Sequence, residues 1–535
     1  MRMDDVAAAE ISDARDGRTR LAVVGELVLV FLVLFVAGAS PVPSANEPHY
    51  LSKAKHYWDP AWCPSDFLCN SADAHEVFYW SFGWLATWMP LVQLAWFGRL
   101  LTWALLAWSW RRLSWSLVPG PLFAVLSAAL LVTLNDRFQI AGEWIVGGVE
   151  AKGFAYVLVL LGLEALVRAR WTAVWLYFGA ASAFHVLVGG WAVVAALFVW
   201  FVSPDRPSVG STLLGLAGGL VLSLPGLLPA LALTHGVDPQ TVREANELYV
   251  FERLYHHLVP QRFATIAIVR HLALVGVLVL LTPWAAGDQR WRRWSAFVAA
   301  AVGIAACGMV ISMTVPIDSD WAASWLRFYW FRLSDAMVPM GVALAASRIL
   351  WRWQQAHRPG FTIGLIAALM VVLVHMGQLL WQRHIDPRPP ADRTAADLTA
   401  WREICDWAAA ETPPETLFLT PRGSQTFRWY SGRGEVVTRK DIPQDSRGIV
   451  EWWRRLQRLH LAEADTPNVH WRESLAELGA DELQALGREF GAEYVVTTAD
   501  PPLALPRVGP RTSSYAVYRL TLPGDAAKND SRSQP

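Results

Sequence analysis

Charge is what this sequence has little of. Of its 535 residues only 17% are Asp, Glu, Lys or Arg, where a soluble chain carries about a quarter. The 46 basic residues are balanced by 46 acidic ones, so the net charge is zero. That excludes a nucleic-acid partner held by bulk electrostatics. No Walker or GxGxxG sequence follows any expected strand, so no nucleotide-binding signature is present. Cysteines number only four. Internal repeats and long low-complexity tracts are absent.

What fills the chain instead is apolar: 54% hydrophobic residues and 30 Trp. Apolar runs near twenty residues recur from 21 to about 381, the pattern of a multi-pass membrane protein. Indole rings favour the membrane–water interface, which suits the Trp excess. Eleven transmembrane helices are expected, near 21–39, 82–108, 117–134, 154–167, 171–186, 188–202, 209–232, 263–283, 295–314, 336–350 and 360–381. Residues 77–110 are too long for one straight span, and Pro90 splits them. Residues 171–202 hold two short spans turning at "HVLVGG". One tilted helix there would invert every later side.

The loop charges test this count. With residues 1–20 as a cytoplasmic tail, the inner loops carry Arg111–Arg112, Arg168 and Arg170, Arg206, Arg290 with Arg292–Arg293, and Arg352 with Arg358. Every short inner loop is then basic, as the positive-inside rule requires. Residues 40–75, 135–153, 234–262, 315–335 and a soluble domain at 382–522 fall outside, with a disordered tail at 523–535. The expected location is the plasma membrane. "AGASPVPSA" after the first run also resembles a cleavage site; cleavage would leave the other sides unchanged. Cys63 and Cys69 lie in the first outer loop. They are a disulfide candidate in an oxidising compartment, or two free thiols.

The expected outer face gathers polar groups. In "NEPHYLSKAKHYWDP" Asn46 is suited to cap a helix, and Glu47 and Pro48 to fill its first turn. Tyr50, Leu51, Ala54, Tyr57 and Trp58 share one face, and His49, Lys53 and His56 another. Glu47 reads either as a helix-start residue favoured by the dipole or as a carboxylate at a cavity mouth. The second outer loop holds Glu143, Glu150 and Lys152. Glu150 and Lys152 abut a span, where charge is disfavoured unless it has a role. His185 sits at the turn between two short spans. Arg253, His256 and His257 fall within about one helical turn, a group suited to a phosphate or a metal. Arg270 and His271 enter the next span, and Arg327 and Arg332 stand among aromatics in the last outer loop. Those two arginines suit an interfacial helix or a grip on a lipid phosphate. Mid-depth charges are few; Glu26 and Arg99 are the exceptions. That scarcity favours chemistry at one surface over ion-coupled transport.

After residue 382 the elements alternate. Helices are expected at 396–411, at "RGIVEWWRRLQRL" and from a cap at Asp481 to Gly491, with strands at "TLFLT", "EVVT", "EYVVTT" and "YAVYRL". This is a small α/β layer domain. The loop carrying Arg422, Arg428, Arg433, Arg439 and Lys440 reads first as a solvated surface and second as an anion-facing one.

The layout from residue 21 to about 520 resembles the GT-C superfamily of membrane glycosyltransferases. Its hallmark is an acidic residue in the first outer loop, and "NEPHYLSKAKHYWDP" is similar at Glu47. "GGVEAK", "HVLVGGW", "ERLYHHLVP" and "TPRGSQTFRWYSGR" also resemble an uncharacterised bacterial multi-pass membrane family. The adjacent Asp–Glu pair of protein O-mannosyltransferases and the oligosaccharyltransferase WWD motif have no clear counterpart. The resemblance implies a GT-C-like α-helical polytopic membrane protein with a C-terminal extracytoplasmic α/β domain. It implies sugar transfer from a polyprenyl-phosphate donor to an extracytoplasmic acceptor, with Glu47 as general base. His49, Glu150, Lys152, His185, Arg253, His256, His257, Arg270, Arg327 and Arg332 would bind substrate, with a divalent metal ion optional. The rival expectations are a transporter or lipid flippase, and a non-catalytic glycan-binding protein.

Overall fold

The structure, a computed structural model, describes residues 3–462 and 470–521, with side chains from residue 20 onward. The expected tail at 523–535 lies outside the described residues.

Helices dominate. The long first helix α1 (Met3–Gly38) is followed by the short α2 (Glu47–Trp58) and α3 (Glu76–Ser81). A bundle then builds from α4 (Leu91–Leu117), α5 (Phe123–Phe138), α6 (Ala151–Val167), α7 (Trp171–Phe184), α8 (Val186–Val202) and α9 (Val209–Ala232). Two short helices, α10 (Pro239–Glu247) and α11 (Tyr255–Leu258), flank a π-helical turn at Leu248–Arg253. The bundle is completed by α12 (Thr265–Ala285), α13 (Gln289–Ser312), α14 (Ser319–Leu326), α15 (Arg332–Gln355) and α16 (Gly360–Ile385).

Each of the eleven expected spans falls on a helix. Seven are long and apolar enough to cross a membrane: residues 20–38 of α1, and α4, α9, α12, α13, α15 and α16. The other four, α5 to α8, have only 14–17 residues. Among the described residues, length and composition alone thus support seven of the eleven expected spans. Of the four short helices, α6 buries Tyr156, Leu160, Leu163 and Leu166 and α7 buries Val174, Trp175 and Phe178, while α8 leaves Val194, Phe198 and Phe201 exposed.

The chain does break between α7 and α8. His185 is extended at φ −151°, ψ 100°, and α8 folds back against α7. A Cβ on Gly189 would lie 2.2 Å from the Ser182 backbone nitrogen, so only glycine allows this approach. Pro90 stands immediately before α4, as expected from its missing N–H.

One end of the bundle is a layer of arginines that hold helix ends together. Arg111 donates to Glu26 (2.7 Å), and Arg112, Arg168 and Arg170 converge on Glu164. Arg293 donates to the Val167 carbonyl (2.7 Å) and to Asp205. Arg348 donates to the Ala285 and Leu117 carbonyls and to Asp288. The expected mid-depth charges are thus paired: Glu26 with Arg111, and Arg99 with Glu47.

The C-terminal domain comprises α17 (Leu398–Glu411), β1 (Leu417–Leu419), α18 (Phe427–Ser431), β2 (Gly434–Glu435), α19 (Ser446–His460), α20 (Gly479–Phe490), β3 (Tyr494–Thr498), β4 (Arg507–Val508) and β5 (Tyr515–Arg519). The sheet order is β2-β1-β3-β5-β4, with β1 parallel to β2 and β3 and β5 antiparallel to β3 and β4. Strand alternation sorts its two cores. Phe418, Val496 and Val517 pack with Trp401 and Ile404 of α17 and with Phe427. Leu419, Val495 and Tyr518 pack with Trp452, Leu456, Leu483 and Leu486 of α19 and α20.

Three expectations in this domain need correction. "EVVT" is a strand only at its first residue, after which Val436 and Val437 are buried in irregular backbone. Asp481 lies in the first turn of α20 and does not cap it; a capping box at Ser474 and Glu477 starts the preceding 3₁₀ turn instead. The short β4 was not expected.

The domain is clamped to the rest of the chain by a buried charge cluster. Arg428 reaches Asp66 (3.2 Å), Glu435 (3.1 Å) and Asp441 (3.0 Å), all fully or nearly fully buried. Asp66 also accepts from the Glu435 and Cys69 backbone nitrogens. Cys63 and Cys69 are both buried as free thiols, and Asp66 accepts from the Cys69 backbone nitrogen in the turn between them. Burial and Asp66 push both thiols well up, so they stay protonated.

Three carboxylates around one guanidinium leave an excess of negative charge. Burial pushes Glu435 up to about 8, while at Asp441 burial is outweighed by Arg428, His49 and Lys440 together, which hold it at about 2. Below about pH 4 both folded and unfolded Glu435 carry a proton, and its contribution is intact. Between about pH 4 and 8 only the folded state keeps it, so stability falls as pH rises. Thermal unfolding at pH 5.5 and 8.5 is expected to show a drop in Tm for the native protein. Glu435→Gln should flatten that drop, and an unchanged slope would show that Glu435 does not carry it.

Candidate functional site

At the bundle end opposite the arginine layer, a cavity of about 180 Å³ lies between the helices and the C-terminal domain. Six segments wall it. Helix α2 supplies Asn46, His49 and Tyr50, and the segment entering α6 supplies Glu143, Trp144, Glu150 and Lys152. The α7–α8 turn supplies His185. Tyr249 and Arg253 come from the π-helical turn, an irregularity frequent at functional sites. His256 and His257 follow on α11, and Tyr329 and Arg332 open α15. The sixth wall, Lys440 to Gln444 without Asp441, belongs to the C-terminal domain.

The loop before α6 is shaped by a buried carboxylate. Asp335 accepts from the backbone nitrogens of Ile140 (2.6 Å), Ala141 (2.8 Å) and Glu143 (3.3 Å). Asn135 binds the same loop at the Glu143 carbonyl (3.0 Å). Glu143 is thereby fixed, and it is heavily engaged: Arg332 lies at 3.1 Å, Lys152 at 3.5 Å, and Tyr156 donates to it at 3.0 Å. Glu150 is held more loosely, accepting from Trp144 Nε1 (3.1 Å) and Asn46 Nδ2 (3.3 Å), with Lys152 at 3.9 Å. The Asn46 side chain is spent on that bond and does not cap α2.

Cations outnumber carboxylates on the wall. Arg332, Lys152, Arg253 and Lys440 face Glu143 and Glu150. Burial lowers Lys440, with Arg253 adding to the shift. His256 is lowered to about 4 and His257 to about 3, by burial first and then by Arg253 and His256 respectively. Both imidazoles are therefore neutral at physiological pH. His257 donates from Nδ1 to the Ala141 carbonyl, which leaves Nε2 as an acceptor. Tyr50 and Tyr329 are pushed well up by burial and remain phenols.

Eight of the eleven residues expected at a site line this cavity: His49, Glu150, Lys152, His185, Arg253, His256, His257 and Arg332. Three do not. Glu47 is 1% exposed and points into the protein. Arg99 grips it through Nε (2.6 Å) and Nη2 (2.7 Å), and the Ser44 and Val149 backbone nitrogens donate at 2.7 and 3.0 Å. A Cβ on Gly148 would sit 2.9 Å from its Oε1. With each oxygen doubly bonded, Glu47 is a structural anchor for α2. Arg270 is exposed on α12. Arg327 bonds Asn246 and lines an adjoining groove instead.

That groove, of about 340 Å³, shares Tyr50, His185, Tyr249, Tyr329, Arg332 and Gln444 with the polar cavity. Its remaining wall is mostly apolar: Val186, Leu187, Leu227, Ala230, Leu231 and Phe328. His185 and Arg332, joined at 2.9 Å, stand between the two compartments.

Several wall residues were not singled out in the sequence. Asn46 and Tyr50 read as a cap and a packing face. Tyr249 and Tyr329 lie among other aromatics, and Lys440 sits in a loop that reads as solvated. Glu143 carried the one usable signal, an acid beside Trp144 in a short loop between apolar runs. Among the described residues no group of three or more His, Cys, Asp or Glu side chains is placed to hold a metal ion.

Residues 399–459 match the model of a family described as Domain of unknown function (DUF6798). The match runs from α17 to α19 and includes the segment that closes the cavity. No curated protein matches the chain.

Proposed function

We propose that the chain is a bacterial plasma-membrane glycosyltransferase of GT-C type, moving a sugar from a polyprenyl-phosphate-linked donor to an extracytoplasmic acceptor. The observation that carries this reading is the pairing of a cation-rich cavity with an apolar groove across His185 and Arg332. A phosphate head on an isoprenoid tail has that same division. The seven long apolar helices support insertion. Exposed Trp80, Trp84 and Trp88 before α4 suit an interfacial level. In this reading the arginine layer lies at the cytoplasmic end, as the positive-inside rule favours, and the cavity faces outward.

In this reading Glu150 replaces Glu47 as the general base. It takes the proton from the acceptor hydroxyl as that oxygen bonds to the anomeric carbon. The bond from that carbon to the phosphate oxygen breaks, and the polyprenyl phosphate leaves with the electron pair. Arg332, Lys152 and Lys440 stabilise its charge. Glu143 holds Arg332 and Lys152 in place, and neutral His257 accepts a substrate hydroxyl at Nε2. No step here needs a metal ion.

The test is transfer itself. The purified protein in liposomes, given polyprenyl-phosphate sugars and envelope acceptors, is expected to form a covalent glycosylated product. Flux across the bilayer without such a product would instead support a transporter or flippase. Lys440→Ala is expected to raise KM for the lipid donor about tenfold, as for a lost charge-assisted phosphate contact, with a smaller effect on kcat. An unchanged KM would remove the C-terminal domain from donor binding.

A further inference from the structure

The segment after β2 carries positive charge that the transfer step uses only in part. Strands β1 and β2 are parallel, so the segments that follow them leave the sheet at the same end, where open α/β sheets commonly bind ligands. The Arg439 N–H donates to the Arg422 carbonyl (2.9 Å) and ties the two segments together. The Arg439 side chain is exposed, and Lys440 follows it onto the cavity wall. From the bundle side, Arg253 donates from Nη2 to the Lys440 carbonyl (2.9 Å). Exposed His256 belongs to the same wall.

Arg253, Lys440 and Arg439 thus form a strip of cations that runs from the cavity onto the C-terminal domain, with half-buried Arg422 behind it. The four are close enough to act on one another. Burial lowers Arg253, His256 and Arg422, and the Arg439 charge adds to the lowering at each. Among the described residues none of these four cations makes an ion pair. Asp441, the acid that both Arg253 and Lys440 feel, is already held by Arg428 (3.0 Å) and His49 (3.5 Å). A wall of one sign concentrates ions of the other, and a neutral His256 beside it pairs with a hydroxyl.

The apolar groove that suits a lipid tail lies across His185 and Arg332, and none of Arg253, His256, Arg439 and Lys440 lines it. The strip therefore fits an anion carried on a polar chain. Charges spread over side chains of two domains suit several anionic groups in a row better than one.

We propose that the strip binds the acceptor, and that the acceptor is a hydroxyl-bearing polyanion, a glycan or polyol chain with phosphate or carboxylate groups along it. Arg439 holds a charged unit at the edge of the cavity, with Arg253 adding its field, while a hydroxyl further along the chain enters towards Glu150. Lys440, at the inner end, serves the donor phosphate. As an acceptor site the strip rests on the transfer reading; as an anion-binding site it does not.

Calorimetry on the full-length protein in detergent tests the binding, with oligogalacturonate and poly(glycerol phosphate) as probes and maltohexaose as the neutral control. At least one polyanion is expected to bind, more weakly as salt rises. Arg439→Gln should weaken it about tenfold, as for a lost hydrogen bond to a charged group, and Arg439→Glu further. Arg511→Gln removes an exposed arginine between β4 and β5, at the opposite edge of the sheet, and should bind as the native protein does. In transfer assays Arg439→Gln should raise KM for a polyanionic acceptor and leave KM for the lipid donor unchanged, the reverse of Lys440→Ala. The proposal is overturned if neither polyanion binds, if maltohexaose binds as tightly, if both Arg439 variants bind as the native protein does, or if Arg511→Gln loses as much. Displacement of the polyanion by short-chain phosphatidylglycerol would also overturn it, by making the strip a headgroup site. Arg439-dependent binding in a protein that transfers no sugar would sink the transfer reading and leave an anion-binding strip. Transfer with an acceptor KM indifferent to Arg439 would do the opposite.

Discussion

Glu150→Gln is expected to lower kcat for sugar transfer by about 10²–10⁴-fold, the usual contribution of a positioned base, with little change in KM. The amide keeps the shape of the carboxylate and an oxygen that Trp144 or Asn46 can donate to, but it cannot take a proton. Glu150 is the choice because it faces the cavity and its bonds are few and long. Glu143 is a poor base: Arg332, Lys152 and Tyr156 already engage its carboxylate. Glu143→Gln should therefore raise KM and lower stability together, because it frees two cations at once. Rates of transfer and melting curves on both variants separate the roles. Full activity in Glu150→Gln would place the base elsewhere.

The second large effect falls on folding. Arg99→Ala leaves the Glu47 carboxylate buried without its counter-ion, and breaking a buried pair from one side costs about 3–5 kcal/mol. A loss of that size consumes much of a typical stability margin, so little folded protein is expected. Replacing both partners with leucine should recover part of the loss: it removes the unpaired charge but leaves the Ser44 and Val149 amides without their acceptor. The double variant is the sharper test. If Glu47 anchors α2, the refolded Glu47→Leu/Arg99→Leu protein transfers sugar; if Glu47 is the base, it folds and stays inactive.

Much of the cavity wall is legible in the chain. Glu150, Lys152, Arg253, His256, His257 and Arg332 are charged or imidazole side chains in short segments bounding apolar runs, where solvation alone is a weak reason for them. Tyr50, Tyr249 and Tyr329 are not legible, because an aromatic beside an apolar run reads as packing until its hydroxyl is placed. Lys440 is hidden for a different reason. It lies almost 300 positions after Glu150, and only docking of the C-terminal domain through Arg428 and Asp66 brings it to the cavity.

The sequence by itself determined the apolar helices, the alternating C-terminal domain, and the chemical types available at the cavity. Periodicity and composition are local properties, so local reading recovers them. Pairing is not local. Glu47 meets Arg99 across 52 positions and Glu26 meets Arg111 across 85, and those contacts decide that one acid anchors a helix while Glu150 is left open to a substrate. Burial and partners set what a carboxylate can do, and only the tertiary structure assigns them.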